Sequence, residues 1–192
     1  MALVLSLAVW QGWAAQPKPL GKLTNCRYVT ADYNDGDSFH VRSDRSDFVL
    51  RLYFVDAPET TLRDAVRTQE QRQYFDVTSD ETIDAGLKAK EAVHDMLQQP
   101  FVVWTRRATA PGRSQLPRYY GLVEVKGTNL TEWLVSKGLA RVKGVRTQLP
   151  DGQKSKTYLE KLRKLEKEAK EKRAGIWAFS KTSNSDKIPP KK

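Results

Sequence analysis

Phe48-Val49-Leu50-Arg51-Leu52-Tyr53-Phe54-Val55-Asp56-Ala57-Pro58-Glu59 decides how the rest of the chain is read. The first eight residues are β-branched, aromatic or aliphatic apart from Arg51, which predicts a strand over 48–55. The last four form a stiff acidic corner. Pro58 fixes its own φ and holds Ala57 extended, so Asp56 and Glu59 flank a rigid turn. Strict alternation would put Arg51 and Asp56 on opposite faces of the strand, so a bulge or bend is required between them if they are to meet.

Upstream, Asn34-Asp35-Gly36-Asp37 has turn chemistry and separates two further predicted strands, Lys22–Ala31 and Ser38–Arg42. Downstream, Thr60–Asp80 is polar and reads as a loop with a short helix. A helix is expected over Thr82–Gln99, strands over Phe101–Thr105 and Arg118–Val125, and a short helix over Asn129–Lys137 stopped by Gly138. Leu139–Lys143 reads as a brief strand. The last helix runs from Lys156 to Arg173, with Tyr158, Leu162, Leu165 and Ala169 on one face. Ile176 and Trp177 follow as a docking anchor. Three strands, a helix, two strands and more helix is the order of an α+β protein built on a five-stranded Greek-key OB-type β-barrel with three helices, a barrel whose face commonly binds oligonucleotides.

The 192 residues suit one domain with short extensions. Lys and Arg outnumber Asp and Glu by 33 to 23, giving a net charge of +10, and the isoelectric point is near 9.7. That surplus favours a polyanionic partner. Cys26 is the single cysteine, so no internal disulfide and no cysteine-based zinc site can form, and two histidines cannot build a multi-histidine metal centre. Met1–Ala15 reads as a signal peptide: Met1–Trp10 is almost wholly apolar and Gly12-Trp13-Ala14-Ala15 offers small residues for cleavage, although no basic residue precedes Lys18. The run is well short of the ~20 apolar residues that span a bilayer. A secreted or periplasmic monomer, without stable membrane insertion, is therefore expected. The polar segment from Ser180 to Lys192 reads as a disordered basic tail.

The acids pose the chemical question. Two carboxylates about 5 Å apart repel by roughly 3 kcal/mol at an effective dielectric of 20. Asp-Gly-Asp alone is read as an ordinary turn. Gathered with Asp56 and Glu59 and without nitrogen or sulfur ligands, the acids point to a hard cation, Ca²⁺ or Mg²⁺.

The constellation of Asp35-Gly36-Asp37-Ser38, then Arg51-Leu52, then Asp56-Ala57-Pro58-Glu59, strongly resembles the staphylococcal nuclease family, whose pattern is Asp-Gly-Asp-Thr, Arg-Leu and Asp-x-Pro-Glu. Asn129–Leu139 and Tyr158–Trp177 resemble that family's later helices, so the resemblance spans residues 22–178. It implies one calcium ion in an OB barrel and hydrolysis of phosphodiesters in DNA, RNA or both. Asp37 and Asp56 would be calcium carboxylates, Ala57 would lend its main-chain carbonyl, and Asp35 would be an outer ligand. Arg51 would be the first catalytic arginine and Glu59 the general base.

One departure stands out. The family's second arginine falls at Tyr120 in Leu116-Pro117-Arg118-Tyr119-Tyr120-Gly121-Leu122. Arg118, two residues earlier and on the same strand face, is the expected replacement, and Arg113 in the preceding loop is the alternative. Arg113, Tyr119 and Tyr120 are expected to bind substrate, the tyrosines by stacking on bases. Two other functions compete with the nuclease: a non-catalytic OB module that binds nucleic acid or protein, and a basic protein that binds an anionic polymer with calcium serving structure only.

Overall fold

Strand alternation between Gly21 and Val125 builds one closed barrel. The computed structural model describes residues 18–112 and 114–181. The predicted leader Met1–Ala15, the loop residue Arg113 and the tail beyond Lys181 lie outside the described residues. The elements in chain order are β1 (Gly21–Val29), β2 (Ser38–Arg42), β3 (Asp47–Leu52), β4 (Val55–Asp56), α1 (Ala65–Phe75), α2 (Ser79–Met96), β5 (Phe101–Thr105), β6 (Arg118–Val125), β7 (Thr128–Asn129), α3 (Leu130–Ser136), β8 (Arg141–Val142) and α4 (Ser155–Glu171), followed by a 3₁₀ turn at Gly175–Ala178.

β1, β2 and β3 form an antiparallel meander, β5 returns to pair with β1, and β6 closes the cylinder by pairing antiparallel with β5 and parallel with β3. The cyclic order β1-β2-β3-β6-β5 is the five-stranded Greek-key barrel expected from the sequence. Its interior is filled by alternate residues, including Phe39 and Val41 of β2 and Leu50 and Leu52 of β3, all at most 1 % exposed. Cys26 also packs there, and burial pushes its thiol up to about 11, which makes it a poor nucleophile.

The required bend between Arg51 and Asp56 is present. β3 stops at Leu52, Phe54 adopts a φ of +71°, and β4 restarts at Val55. The Phe54 amide donates to the Val145 carbonyl at 3.0 Å instead of continuing the ladder. Val55 and Asp56 then pair with Val142 and Arg141 of β8, the brief strand predicted at 139–143.

Among the described residues the α-helices number four, not the three expected. Thr60–Asp80 holds an eleven-residue helix, α1, because Asp64 caps it by accepting from the Arg67 amide. The sequence hides this helix because its buried positions are Thr68, Gln71 and Phe75, two of them polar, so no apolar stripe is visible. The next helix, α2, also begins earlier than predicted. A capping box in which Thr78 and Glu81 bond reciprocally starts it at Ser79. The C-terminal anchor is as expected: Ile176 and Trp177 are 1 % exposed, and the Trp177 ring meets Phe75 at 4.8 Å.

Candidate active site

The Asp35–Asp37 turn is built by its own first aspartate. Asp35 Oδ1 accepts from the amides of Asp37 (3.0 Å) and Ser38 (2.6 Å), which aims Asp37 inward. The Asp37 carboxylate, 1 % exposed, accepts from Arg51 Nη1 at 2.6 Å and from the Ala57 amide at 2.8 Å. That second bond ties the turn to the Asp-Ala-Pro-Glu corner. The approach is close enough that a Cβ on Gly36 would lie 2.8 Å from the Cβ atoms of both Ala57 and Ala89.

Asp56 sits at the centre. Its Oδ1 accepts from Arg51 Nη2 (3.0 Å) and Arg67 Nη2 (2.7 Å), and its Oδ2 accepts from Arg141 Nε (2.8 Å) and Gln71 Nε2 (3.2 Å). Burial pushes the Asp37 carboxyl well above the usual carboxylate range; Arg51 opposes this, and Asp35 and Asp56 add to it. Burial acts on Asp56 as well, but Arg67, Arg141 and Arg51 outweigh it and hold that carboxyl below its ordinary value. Burial likewise raises the Glu59 carboxyl, against the pull of Arg67, whose Nε lies 2.6 Å from Glu59 Oε1.

Three of these partners were not anticipated from sequence. Arg67 and Gln71 lie four apart on α1 and so share a face, a signal that was present but unreadable without knowing that the segment is helical. Gln71 also donates to the Ala57 carbonyl at 2.9 Å and accepts from the Glu59 amide at 2.8 Å, holding the corner from below. Arg141 comes from β8, 85 residues after Asp56, and had no local signal.

A cavity of about 460 Å³ opens on this cluster, lined by Asp35, Arg51, Glu59, Arg67, Arg118 and Tyr120 among others. Arg118 therefore reaches the same cavity as Arg51. Its guanidinium donates to Ser38 Oγ (2.8 Å) and to the Pro111 carbonyl (2.7 Å), and burial together with the nearby Arg51 charge lowers its pKa. Tyr120 pairs in register with Arg51 and stacks on Tyr53 at 5.0 Å. Tyr119 is the exception among the residues expected here: alternation on β6 turns it to the opposite face, where it packs on Phe48 at 5.8 Å and does not line the cavity. A second cavity of the same volume lies between β5, β6, α3 and the loop after Leu149, but its charged lining is Glu124, Glu132, Asp151 and Lys161. Of these two cavities, the first is the one that brings three arginines together, Arg51, Arg67 and Arg118.

The donor set is right in kind for calcium: the carboxylates of Asp35, Asp37 and Asp56 and the Ala57 carbonyl are all hard oxygens. As arranged, among the described residues no group of three or more His, Cys, Asp or Glu is spaced to hold a metal ion. At Asp56 the four lone-pair sites are moreover all taken, accepting from Arg51, Arg67, Arg141 and Gln71.

Barrel and cavity together define an OB-fold protein with a pocket lined by arginines and acids. The chain belongs to the family of staphylococcal nuclease homologues, which it matches over residues 49–179. Arg51, Asp56, Ala57, Glu59 and Arg118 fall inside that match, whereas Asp35 and Asp37 precede it, so their place in the site rests on the bonds described above. No curated protein matches the chain. Among the described residues no helix is long and apolar enough to cross a membrane.

Proposed function

We propose that the protein is a calcium-dependent nuclease that hydrolyses phosphodiester bonds of DNA, RNA or both. The observation that carries this reading is the convergence of Arg51, Arg118 and Glu59 on one cavity beside the buried carboxylates Asp37 and Asp56. Asp37, Asp56 and the Ala57 carbonyl would hold the ion, with Asp35 as an outer ligand, and the ion would supply charge neutralisation at the phosphate.

The chain's own residues account for the other roles. Arg51 presents a planar fork that two phosphate oxygens can accept from, and such bonds speed the reaction when they tighten as charge builds in the transition state. Arg118 supplies the second guanidinium that the family pattern places at Tyr120. Glu59 takes the proton of the attacking water, and its raised pKa brings it closer to the working range of a general base. Tyr120 offers a stacking surface at the rim.

The saturation of Asp56 by four donors favours one other reading, a non-catalytic OB module in which the acidic cluster serves structure. Incubation with single-stranded DNA and RNA, first with calcium and then with chelator, separates the two. Calcium-dependent cleavage supports the nuclease; binding without cleavage in either condition overturns it in favour of the module. Export is supported by the apolar leader at Met1–Ala15. N-terminal sequencing of the mature protein checks it, and recovery of an intact Met1 would refute it.

A further inference from the structure

Outside the cavity, β2 carries a row of polar groups on the outer face of the barrel. Ser38, His40 and Arg42 alternate with the core residues Phe39 and Val41, so they share that face at steps of about 7 Å. Ser38 Oγ accepts from Arg118 Nη2 at 2.8 Å, and Arg118 lines the cavity, so this end of the row is the near one. His40 carries the Tyr33 ring, stacked on its imidazole with centroids 6.3 Å apart and planes 22° from parallel. Arg42 ends the row, its side chain 61 % exposed, and its direct cross-strand partner on β1 is Arg27.

The barrel does not explain two features of this row. Like charges directly opposite on antiparallel strands destabilise the pairing, and Arg27 and Arg42 are such a pair. Asp47 meets Arg42 at 2.8 Å and His40 at 3.0 Å, whereas among the described residues Arg27 has no ion pair. Lys22 and Arg45 line a small cleft beside this end with Asp44, so four cations there face two acids, Asp44 and Asp47. Tyr33 is the second feature. It is 53 % exposed, yet its hydroxyl and His40 Nδ1 hydrogen-bond at 3.2 Å, and His40 is itself tied to Asp47. An exposed tyrosine alone is ordinary. One pinned against a neighbouring ring, with Arg118 on one side and Arg42 on the other, is a platform on which a base can stack.

We propose that a single-stranded nucleic acid leaves the cavity along this face, stacks a base on Tyr33 and sets its next phosphates against Arg42 and Arg27. This rests on the nucleic-acid reading above and extends it to a track outside the cavity. The track uses no ion at the acidic cluster. Cations at both ends with an aromatic ring between them are the pattern of a groove that follows a single strand. The ring is what selects the single strand, since a paired base keeps its faces in the stack and a sulfated polysaccharide has none to offer.

The test is fluorescence anisotropy of the full chain with labelled oligothymidylate in chelator, where no cleavage competes. A dinucleotide reports the cavity alone, and a strand of about ten nucleotides, within the site size of one OB fold, reports cavity and track together. The proteins are the wild type, Tyr33→Leu, Arg27→Gln and a control, Lys164→Gln, which removes one charge from the exposed face of α4. Thermal melts establish that each is folded. Tyr33→Leu is expected to weaken the longer strand by about fivefold or more, the loss of one stacked base. Arg27→Gln should lower the slope of log K against log salt by about 0.7. Lys164→Gln should leave both nearly unchanged, and no variant should alter dinucleotide binding. If Tyr33→Leu and Arg27→Gln bind the longer strand as the wild type does, the track is wrong and the nuclease reading stands. If Tyr33→Leu weakens binding of heparin, a polyanion without bases, as much as binding of the oligonucleotide, no base is stacked and the single-strand assignment falls. If the wild type binds neither strand in chelator, the track falls, and cleavage with calcium decides the nuclease reading by itself.

Discussion

Gly86 shows how a single residue sets the site from behind. It lies inside α2, where replacing glycine by alanine ordinarily gains roughly 1 kcal/mol of helix propensity. Here a Cβ would lie 2.2 Å from the Glu59 carbonyl oxygen and 2.7 Å from that of Pro58. Both obstacles are backbone, so the corner itself must move. The clash outweighs propensity, and Gly86→Ala is expected to destabilise the protein by about 1–3 kcal/mol in urea unfolding. Because the displaced atoms carry Glu59, turnover should fall as well. A stabilised variant with normal turnover would mean that α2 does not press on the corner. Arg141 makes the complementary case. It is 3 % exposed and bonds Asp56 Oδ2, so Arg141→Ala removes one partner of a buried pair and should cost about 3–5 kcal/mol. At this scale the sequence was informative where residues lay near each other or, as for Arg118, where the family's pattern pointed to them. Asp35, Asp37, Arg51, Asp56 and Glu59 were legible because they lie within one stretch with turn and strand chemistry. Arg141 was not, since only the barrel's closure and the β4–β8 pairing bring it to Asp56.

Elements were legible in proportion to the clarity of their period. The barrel strands alternate, and α4 carries a clean apolar face, so their places and order followed from pattern. The polar face of α1 broke the pattern because Thr68 and Gln71 are buried to bond Asp64 and the acidic corner, and not to fill a hydrophobic core. A segment committed to holding a site loses the signal that marks it as an element. The start of α2 gives a test at this scale. Thr78 accepts from the Glu81 amide, and Glu81 Oε2 accepts from the Thr78 amide at 2.7 Å. Thr78→Ala is expected to cost about 1 kcal/mol. The same bonds hold the Glu81 carboxyl below its ordinary 4.5, chiefly through the Thr78 amide. A depressed acid stabilises the fold fully above its unfolded pKa and loses that contribution as pH falls through the folded value. The stability difference between wild type and Glu81→Gln should therefore be constant above about pH 5 and shrink below 4.5, measured by unfolding across pH. A difference that grows toward low pH would reverse the assignment.

For the whole molecule the relevant quantity is the field. A net charge of +10 surrounds a cavity that gathers Arg51, Arg67 and Arg118 alongside Asp35, Glu59 and Asp64, while Asp37 and Asp56 are buried. A polyanion is drawn to such a surface from a distance, and the attraction weakens with salt because phosphate contacts release counterions. The slope of log K against log salt for single-stranded DNA counts those contacts at about 0.7 per phosphate neutralised. Field and contact can then be separated by comparing variants at several salt concentrations. Arg118→Ala should weaken binding and reduce the slope by about 0.7, because its guanidinium faces the cavity beside Arg51. Tyr119→Ala should leave the slope unchanged, because that ring packs on Phe48 on the other face of β6. Turnover should follow the same division, with Arg118→Ala slowed by about 10²-fold or more and Tyr119→Ala near wild type when folded. Near-normal cleavage by Arg118→Ala, with a reduced salt slope, would leave Arg118 as a docking charge and move the second catalytic guanidinium to another residue. Arg67, the third cation of the same cavity, is then the next position to substitute.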